Sequence, residues 1–369
     1  MTAEIIIAVR GESESNLKRT IGNIRKTSSA KICLVMDGAE QPNYGEIGVD
    51  RIERPWSMPR GCGQARHYGI ETSKAPIVII TDGHMQYPVG WADEVVGHLE
   101  KHPKDVTCCQ MRHLNPDWSP ETVGTPYSGA HIELFNREPC GGAVWHWPIA
   151  AKWNKEFTRQ GQISAPMGAC YGMTRKHYAA MGKPLGILED WGGDEELLAI
   201  CGWLCGGRTW LLPIECGHVH GHDGMFKRTV SRTQEVDRIV NRGVLADMLG
   251  ESGRELLDFF FATWPADERA EQLWRQRKPR VDALAARLAR QRRKWSDFVE
   301  AGWAITAENK EARQMQTPQV IHRTHDKCEA CGAVGRIKQT SGMRDKGAFL
   351  QASAKCTRCG NRVQIRRGK

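Results

Sequence analysis

Four cysteines near the C-terminus have the type and spacing of a metal site. They form two Cys-x-x-Cys pairs, Cys328 with Cys331 and Cys356 with Cys359, and a glycine follows each second cysteine. Such a pair lets two thiolates from one tight turn reach the same tetrahedral ion, and glycine permits the turn. Because two pairs supply four sulfurs and leave no open position, we predict a structural Zn²⁺ in a zinc ribbon. The alternative is two unrelated cysteine pairs.

A second set of potential metal ligands lies in the first two thirds of the chain. Asp82-Gly83-His84 carries a carboxylate and an imidazole two residues apart, and the two side chains can face one divalent cation on a diphosphate. A run of three histidines between Cys216 and Asp223 is a candidate source of the third ligand. Short Asp-x-His strings also arise by chance, so this prediction depends on the two segments meeting in the fold.

Short apolar segments that alternate with amphipathic ones must position these residues. Segments 5–9, 32–36 and 77–80 are apolar throughout and predict buried strands. The amphipathic segments between them predict helices, the first of them capped by Ser13 or Ser15. This alternation is typical of a mostly parallel α/β sheet covered on both faces. Ligands bind beyond the carboxyl ends of such strands, where the polar residues are Arg10, Glu12, Asp37, Asp82 and His84.

The order of the motifs resembles that of the GT-A glycosyltransferases, and most closely the catalytic domain of the polypeptide N-acetylgalactosaminyltransferases and their bacterial relatives. The resemblance covers about residues 3–225, and its ordered set of motifs is specific. It implies a Rossmann-like GT-A fold and the transfer of a sugar from a UDP-sugar to a hydroxyl group. The matching segments are Ile7 to Glu12, Asp37, Gly63 to Arg66, Ile79 to His84, Trp191 to Asp194, Trp203 to Gly207 and Cys216 to His222.

The resemblance implies a catalytic metal site and its ligands. Asp82 and His84 match the family's Asp-x-His motif and would bind Mn²⁺ or Mg²⁺ on the diphosphate of the donor. The third ligand is expected from the family's Cys-x-His-x-Gly-His ending. This chain has one residue inserted there, so His222 and His220 are alternatives, and His222 is preferred because it keeps the Gly-His pair.

The resemblance also implies residues for the donor and the acceptor. Asp194 and Glu195 would face the acceptor hydroxyl, where a carboxylate can accept its proton. The family has glutamate where this chain has Asp194, which leaves the division of roles between the two acids open. The residues expected to border the nucleotide-sugar donor are Val9, Arg10, Glu12, Asp37, Arg66 and Asp82.

The net charge of +9 is confined to the C-terminal fifty residues. Residues 320–369 contain twelve Lys or Arg and three Asp or Glu, whereas the other 319 residues contain 40 of each sign. A localised excess of this kind indicates a polyanionic partner, most often nucleic acid, and the alternative is a tail that only aids solubility. Segment 275–294 has nine basic residues and one acid. It is either a surface that tracks phosphates or a solvated helix face.

Three domains are expected: a transferase domain at 1–230, a helical and partly basic segment at 231–316, and the zinc ribbon at 317–369. We find neither an export signal nor an apolar run of the ~20 residues that a membrane span needs. A cytoplasmic protein without a membrane partner is therefore expected, in the host cytosol if the protein is viral. Thirteen cysteines in such a chain argue against a disulfide framework. The oligomeric state is left open.

Three functions fit these observations. The first is transfer of a sugar to a 5-hydroxymethylpyrimidine in DNA, as in a phage-type DNA-modifying enzyme, with the basic tail binding the acceptor. The second is transfer to protein or polysaccharide hydroxyls, with the ribbon serving assembly. The third is a nucleic-acid-binding protein whose transferase fold has lost catalysis. The intact Asp82 and His84 argue against the third function.

Overall fold

The computed structural model divides the chain into two compact units, Met1–Ala307 and Glu308–Lys369. The residues that the structure describes are 2–38, 47–121, 126–140, 143–154, 161–219, 232–262, 268–305, 337–339, 344–345, 349–356 and 362–368. The strands are β1 (Ala3–Val9), β2 (Lys31–Met36), β3 (Arg51–Glu53), β4 (Ile77–Thr81), β5 (Met85–Gln86), β6 (Val106–Leu114), β7 (Ala130–Cys140), β8 (Ala143–Trp153), β9 (Gly161–Ile163), β10 (Cys170–Thr174), β11 (Thr209–Val219), β12 (Ala304–Ile305), β13 (Ile337–Gln339), β14 (Arg344–Asp345), β15 (Phe349–Cys356) and β16 (Arg362–Gly368).

Helices alternate with the first strands, as the sequence predicts. The α-helices are α1 (Glu14–Thr27), α2 (Cys62–Thr72), α3 (Trp91–Lys101), α4 (Arg175–Ala180), α5 (Asp194–Leu204), α6 (Arg232–Asp247), α7 (Arg254–Phe261), α8 (Glu268–Ala289) and α9 (Trp295–Glu300), and short 3-10 helices lie at Pro184–Ile187 and Gly250–Gly253. Among the helices in the described part of the chain, none combines the length and the apolar character needed to cross a bilayer.

The first unit is built on a mixed sheet of nine strands. Its order is β3-β2-β1-β4-β10-β6-β11-β5, and β9 pairs with β11. Strands β3, β2, β1 and β4 are parallel neighbours, while β10 runs antiparallel between β4 and β6. Ile5, Ile6 and Ile7 of β1 are all fully buried although they point to alternate faces. The predicted α/β class with a mostly parallel, doubly covered sheet is confirmed.

Helix α1 shows how local sequence sets the first connection. Ser13 is its N-cap, and the Ser13 hydroxyl accepts a hydrogen bond of 3.1 Å from the backbone N–H of Asn16. A cap of this kind stabilises a helix by about 1 kcal/mol. Leu17, Ile21 and Ile24, three and four residues apart, form the buried face. Of the two serines that the sequence offered as caps, the structure uses Ser13.

The helices after β11 belong to the first unit and form a layer on its core. Val240 and Val244 of α6, Leu284 of α8 and Phe298 of α9 are buried in the same apolar cluster as Ile6 of β1. Their burial removes from water a sheet-and-helix face that would otherwise be exposed. The described part of segment 231–316 is mostly helical and ends in the short strand β12, which pairs with β7. The division of the chain into three domains stays a prediction.

Most of the basic residues of α8 and the turn after it are exposed, but several of them also bond to the fold. Arg277 is 2% exposed and pairs with Asp237 at 2.7 Å. Arg287 donates to the carbonyl of Ala180 at the end of α4 (2.8 Å), and Arg293 donates to the carbonyl of Gly207 (2.6 Å). Such contacts satisfy carbonyls near helix ends. Arg277 is therefore an internal residue, whereas Arg287 and most of the other basic residues of the segment stay exposed, and the alternatives of a phosphate-tracking surface and a solvated face both stay predictions.

The second unit contains a small antiparallel sheet. Strand β15 pairs with β13, β14 and β16. Cys356 is the last residue of β15, whereas Cys328, Cys331 and Cys359 lie outside the described residues. The zinc ribbon therefore stays a prediction.

Candidate active site

Asp82, His84 and His218 bring three potential metal ligands together, and we call them the metal cluster. One ligand atom of each lies within 4.8 Å of the other two. His218 Nε2 is 3.5 Å from Asp82 Oδ2, and the two imidazole centroids are 4.8 Å apart. One carboxylate oxygen and two imidazole nitrogens suit a divalent transition metal such as Mn²⁺ better than Mg²⁺, which prefers oxygen. The donor set therefore fits the expected cation.

The turn after β4 and the pairing of β5 with β11 build the metal cluster. Asp82 directly follows β4, and the Thr20 hydroxyl of α1 donates to the carbonyl of Gly83 (2.8 Å) while it accepts from the N–H of Met85 (2.9 Å). His218 lies opposite Met85 in the antiparallel pair of β11 and β5. A Cβ atom on Gly83 would lie 3.0 Å from the side chain of Glu12, so the tight turn favours glycine.

His218 is a ligand candidate that the sequence motifs did not single out. The preferred His222 and its alternative His220 lie outside the described residues, so both stay predictions. His218 belongs to the same histidine run, and its place at the end of an apolar segment could have indicated a strand end at the sheet edge. Burial lowers the pKa of His218 and outweighs the raising effect of Asp82. A neutral imidazole is the form that binds metal.

Glu12 supports His84 from behind. Glu12 Oε2 lies 2.7 Å from His84 Nδ1, and Glu12 Oε1 accepts from the side chain of Asn16 at 3.1 Å. A proton held on Nδ1 leaves the lone pair of a neutral imidazole on Nε2, the usual arrangement of a metal-binding histidine with a carboxylate behind it. Burial acts to raise the pKa of Glu12, but the bonds with His84 and Asn16 outweigh it and lower the pKa. Glu12, predicted beside the donor, thus also bonds to a candidate metal ligand.

Arg66 links the metal cluster to the acid at the start of α5. Its Nη2 donates to Asp82 Oδ1 (2.8 Å) and to the carbonyl of Gly168 (3.0 Å), and its Nη1 pairs with Asp194. Burial acts to raise the pKa of Asp82, but the hydrogen bond with His218 and the charge of Arg66 hold it well below its usual range. Burial raises the pKa of Asp194. The two predicted site residues Asp82 and Asp194 are thus joined through one guanidinium group.

Asp194, Glu195 and Glu196 form the first turn of α5, and we call them the acid turn. Glu195 Oε1 accepts from the N–H of Gly168 (2.7 Å) and from Nε1 of Trp153 (3.2 Å). Burial, followed by the charges of its two acidic neighbours, raises the pKa of Glu195 to about 8. Glu196 is fully buried and pairs with Arg242. Glu195 is therefore the partly exposed member of the acid turn, and its hydrogen bonds go to Gly168 and Trp153 and not to an arginine.

The remaining predicted donor residues gather at the carboxyl ends of β1 and β2. The N–H of Asp37 donates to the carbonyl of Val9 (2.9 Å). Both carboxylate oxygens of Asp37 accept from backbone N–H groups at the start of α2, Arg60 at 2.6 Å and Gly61 at 2.8 Å. Burial raises the pKa of Asp37. Arg10 pairs through Nη1 with Asp190, which leads into the acid turn (2.8 Å). The fold therefore places the predicted donor residues along one edge of the sheet.

Comparison with known proteins agrees with this geometry. Residues 4–180 match the family model of glycosyl transferase family 2. The chain is 23% identical over 261 residues to polypeptide N-acetylgalactosaminyltransferase 4 of Caenorhabditis elegans, an alignment that covers 63% of this chain and 42% of that protein. It is 22% identical over 261 residues to polypeptide N-acetylgalactosaminyltransferase 5 of Rattus norvegicus, covering 64% of this chain and 27% of that protein. The chain thus spans less than half the length of these two relatives.

A solved structure shows the same fold. A crystal structure of GalNAc-T7 with UDP, GalNAc and Mn²⁺ superposes with a TM-score of 0.60 at 17% sequence identity, covering 100% of this chain and 67% of that one. The GT-A-like fold is therefore confirmed. The match of residues 4–180 to the glycosyl transferase family 2 model and the similarity to N-acetylgalactosaminyltransferases support the predicted hexosyltransferase.

Proposed function

We propose that this protein transfers a sugar from a UDP-sugar to a hydroxyl acceptor and needs a divalent cation, Mn²⁺ before Mg²⁺. The observation that carries the proposal is the metal cluster at the carboxyl edge of the sheet, the edge that also carries the buried Asp37. That edge is where α/β sheets bind nucleotides. The similar structure of GalNAc-T7 holds UDP, GalNAc and Mn²⁺, and the similar proteins are named polypeptide N-acetylgalactosaminyltransferases, which supports this donor class.

The residues around the cation site prepare it for an anionic donor. When bound, the cation balances the negative charge of the diphosphate as the sugar leaves. Glu12 holds His84 by its Nδ1 atom, and Arg66 holds one oxygen of Asp82, so two ligands are oriented before the donor arrives. Preorganised groups of this kind stabilise developing charge without reorganising during the reaction.

On the acceptor side, we assign the proton-accepting role to Glu195. Asp194 pairs with Arg66, so its carboxylate serves to fix the guanidinium group that also holds Asp82. Glu195 lies beside Trp153, which is 38% exposed at the same edge. A carboxyl group with a pKa of about 8 is matched to taking a proton from a hydroxyl near neutral pH.

For the acceptor itself, we propose a 5-hydroxymethylpyrimidine in DNA. The support is the segregation of all net positive charge to residues 320–369, since a sugar donor needs only local contacts. A base in duplex DNA would have to leave the stack, at a cost of roughly a few kcal/mol that phosphate contacts can offset. The second candidate is a protein or glycan hydroxyl, which the names of the relatives favour. In both cases we propose a cytoplasmic protein and a Zn²⁺ ion on Cys328, Cys331, Cys356 and Cys359.

The experiment is a transfer assay with labelled UDP-sugars and three acceptors: plain DNA, hydroxymethylated DNA and a panel of peptides and glycans. Mn²⁺-dependent labelling of any acceptor supports a metal-dependent transferase. Labelling that persists in excess chelator contradicts the need for a divalent cation. Labelling of hydroxymethylated DNA alone supports the DNA acceptor. Labelling of peptides or glycans alone replaces it with the second candidate.

A charge variant tests the tail directly. The triple change R362Q, R366Q and R367Q removes three charges from β16, and the matched control K26Q, K74Q and K101Q removes three exposed charges from the first unit. If the tail binds DNA, the first variant should weaken transfer to DNA and flatten its salt dependence, since fewer counterions are released. If both variants change transfer to DNA and its salt dependence equally, the tail does not bind the acceptor. Metal analysis of the purified chain should also find one tightly bound Zn²⁺.

A further inference from the structure

Asn241 of α6 is fully buried beneath residues 189–193, which we call the Trp-Gly-Gly loop. This loop runs from the donor edge to Asp194 and Glu195. We propose that Asn241 is a positioning residue: it sets the path of the loop and thereby the place of the acid turn. The inference rests on the proposed function for its catalytic consequence, and on the contacts of one amide group for its structural part.

The amide of Asn241 binds the loop backbone at several points. Its Nδ2 donates to the carbonyls of Glu189 (2.8 Å) and Gly192 (2.9 Å), with a longer contact to that of Trp191 (3.3 Å). Its Oδ1 accepts from the N–H of Glu189 (3.3 Å) and from Nη1 of Arg277 (2.6 Å). Both donor hydrogens and both acceptor positions of the amide are thereby used. No shorter or apolar side chain can reproduce this set.

The opposite side of the Trp-Gly-Gly loop is held by the donor edge. Arg60 pairs with Glu189 through two nitrogens, and the carbonyl of Arg60 accepts from the N–H of Asp190 (2.7 Å). Asp190 has φ of 53°, in the left-handed region that costs a non-glycine residue free energy. A Cβ atom on Gly61 would lie 1.9 Å from the carbonyl oxygen of Asp190. The loop therefore follows a strained, closely packed path that contacts from both sides must maintain.

The neighbour of Asn241 extends this support to the acid turn. Arg242 donates to the carbonyl of Ile149 (3.1 Å) and pairs with the fully buried Glu196. Two consecutive residues of α6 thus hold the loop before the acid turn and the acid turn itself. Both residues lie outside the segment 4–180 that matches the family model. The helical layer added after that segment is accordingly part of what shapes the acceptor side of the site.

Three variants test the proposal. N241L keeps the size of the side chain but removes every bond to the loop. N241D keeps the acceptor for Arg277 yet places a carboxylate oxygen against the loop carbonyls, and it serves if N241L does not fold. The control is V244A, which opens a cavity at another fully buried position of the same helix and removes no hydrogen bond to the loop. Amide hydrogen exchange of peptides that span 189–193 and of peptides from β1 is measured for each, together with transfer kinetics.

We expect both Asn241 variants to raise exchange in 189–193 at least tenfold while exchange in β1 is unchanged, and V244A to leave the loop as in the wild type. The kcat of transfer should fall about 10- to 100-fold, since displaced catalytic groups lose rate steeply, while Mn²⁺ affinity stays within twofold. Exchange in the loop that matches the wild type, or kinetic losses equal to those of V244A, would overturn the proposal. Should the wild type transfer no sugar, the proposed function fails, but the exchange measurement still decides whether Asn241 sets the loop.

Discussion

The metal cluster and the acid turn contain carboxyl groups of the same kind at one edge of the sheet, yet the fold shifts their pKa values in opposite directions. Asp82 is held well below its usual pKa despite burial, because His218 and Arg66 are bound to it. Glu195 is raised to about 8, because burial and two acidic neighbours act without a compensating cation. In many active sites the environment shifts the pKa values of two carboxyl groups apart, so that one group stays ionised and binds a cation while the other exchanges a proton.

The difference comes from where the cations are placed. Arg66 lies between the two regions and bonds to Asp82 and to Asp194, but not, among its described bonds, to Glu195. Arg242 is paired with Glu196 on the other side of the turn. Glu195 is thus left between two paired acids, and its neutral form is stabilised. Asp82, by contrast, is kept ionised and ready to bind a cation.

Removing the charge of the metal cluster should have the largest effect. D82N and H84A are each expected to lower transfer by about a thousand-fold or more, since each takes away a ligand of the ion that stabilises the leaving diphosphate. The control D50N removes an exposed carboxylate that pairs with Arg25 far from the edge. Steady-state transfer at saturating Mn²⁺ measures the effect. If the activity of D82N stays within tenfold of that of D50N, the metal cluster is not needed for catalysis.

Removing the link between the two regions should come next. R66M leaves Asp194 buried without its cation, which should lower the free energy of unfolding by about 3–5 kcal/mol, and transfer should fall about a hundred-fold. The control R51M removes another multiply bonded arginine, one that pairs with Glu4 and Glu53 at the β3 edge of the sheet. Chemical denaturation and transfer assays are compared for both. Equal losses of activity at equal losses of stability would make Arg66 a structural residue only.

The carboxylate behind His84 should give a smaller effect. E12Q keeps a group that can accept from His84 Nδ1 but loses the negative charge, so the basicity of the ligand falls. Mn²⁺ affinity is expected to drop about tenfold, a typical loss when the partner of a metal-binding histidine is changed. Titration calorimetry with Mn²⁺ measures it. Unchanged affinity would restrict Glu12 to the donor contact that the sequence predicts.

The smallest expected effect is the pH dependence of stability and of transfer that the raised pKa of Glu195 causes. It tests the contrast between Asp82 and Glu195 most directly. Between pH 4.5 and about 8 the folded chain keeps a proton on Glu195 that the unfolded chain has released. The stability contributed by this group therefore falls as pH rises through that window. In E195Q this part of the slope should disappear. Wild-type transfer should rise with pH up to about 8, and E195Q should lack that rise. Parallel pH profiles of the two proteins would contradict the raised pKa.

The sequence by itself determined the scaffold and the elements that carry the site. Apolar segments at 5–9, 32–36 and 77–80 have one physical solution, strands buried on both faces, and the structure places β1, β2 and β4 there. The motif at Asp82 and His84 could be located because polar residues that follow such strands must lie at the ligand-binding edge. Local spacing and periodicity carry these facts, so no tertiary contact was needed to predict them.

Tertiary structure alone decided which groups act together. The sequence motifs favour His222 or His220 as the third ligand, and both stay predictions. The pairing of β11 with β5 brings another histidine of the same run, His218, to the metal cluster. Arg277 belongs to a segment whose basic composition fits a solvated helix face, yet packing turns this side chain inward to Asn241. Asn241 itself carries no sequence signal, because its function is to satisfy backbone groups some fifty residues away. Partners so distant in the chain are set by packing, which composition and periodicity do not encode.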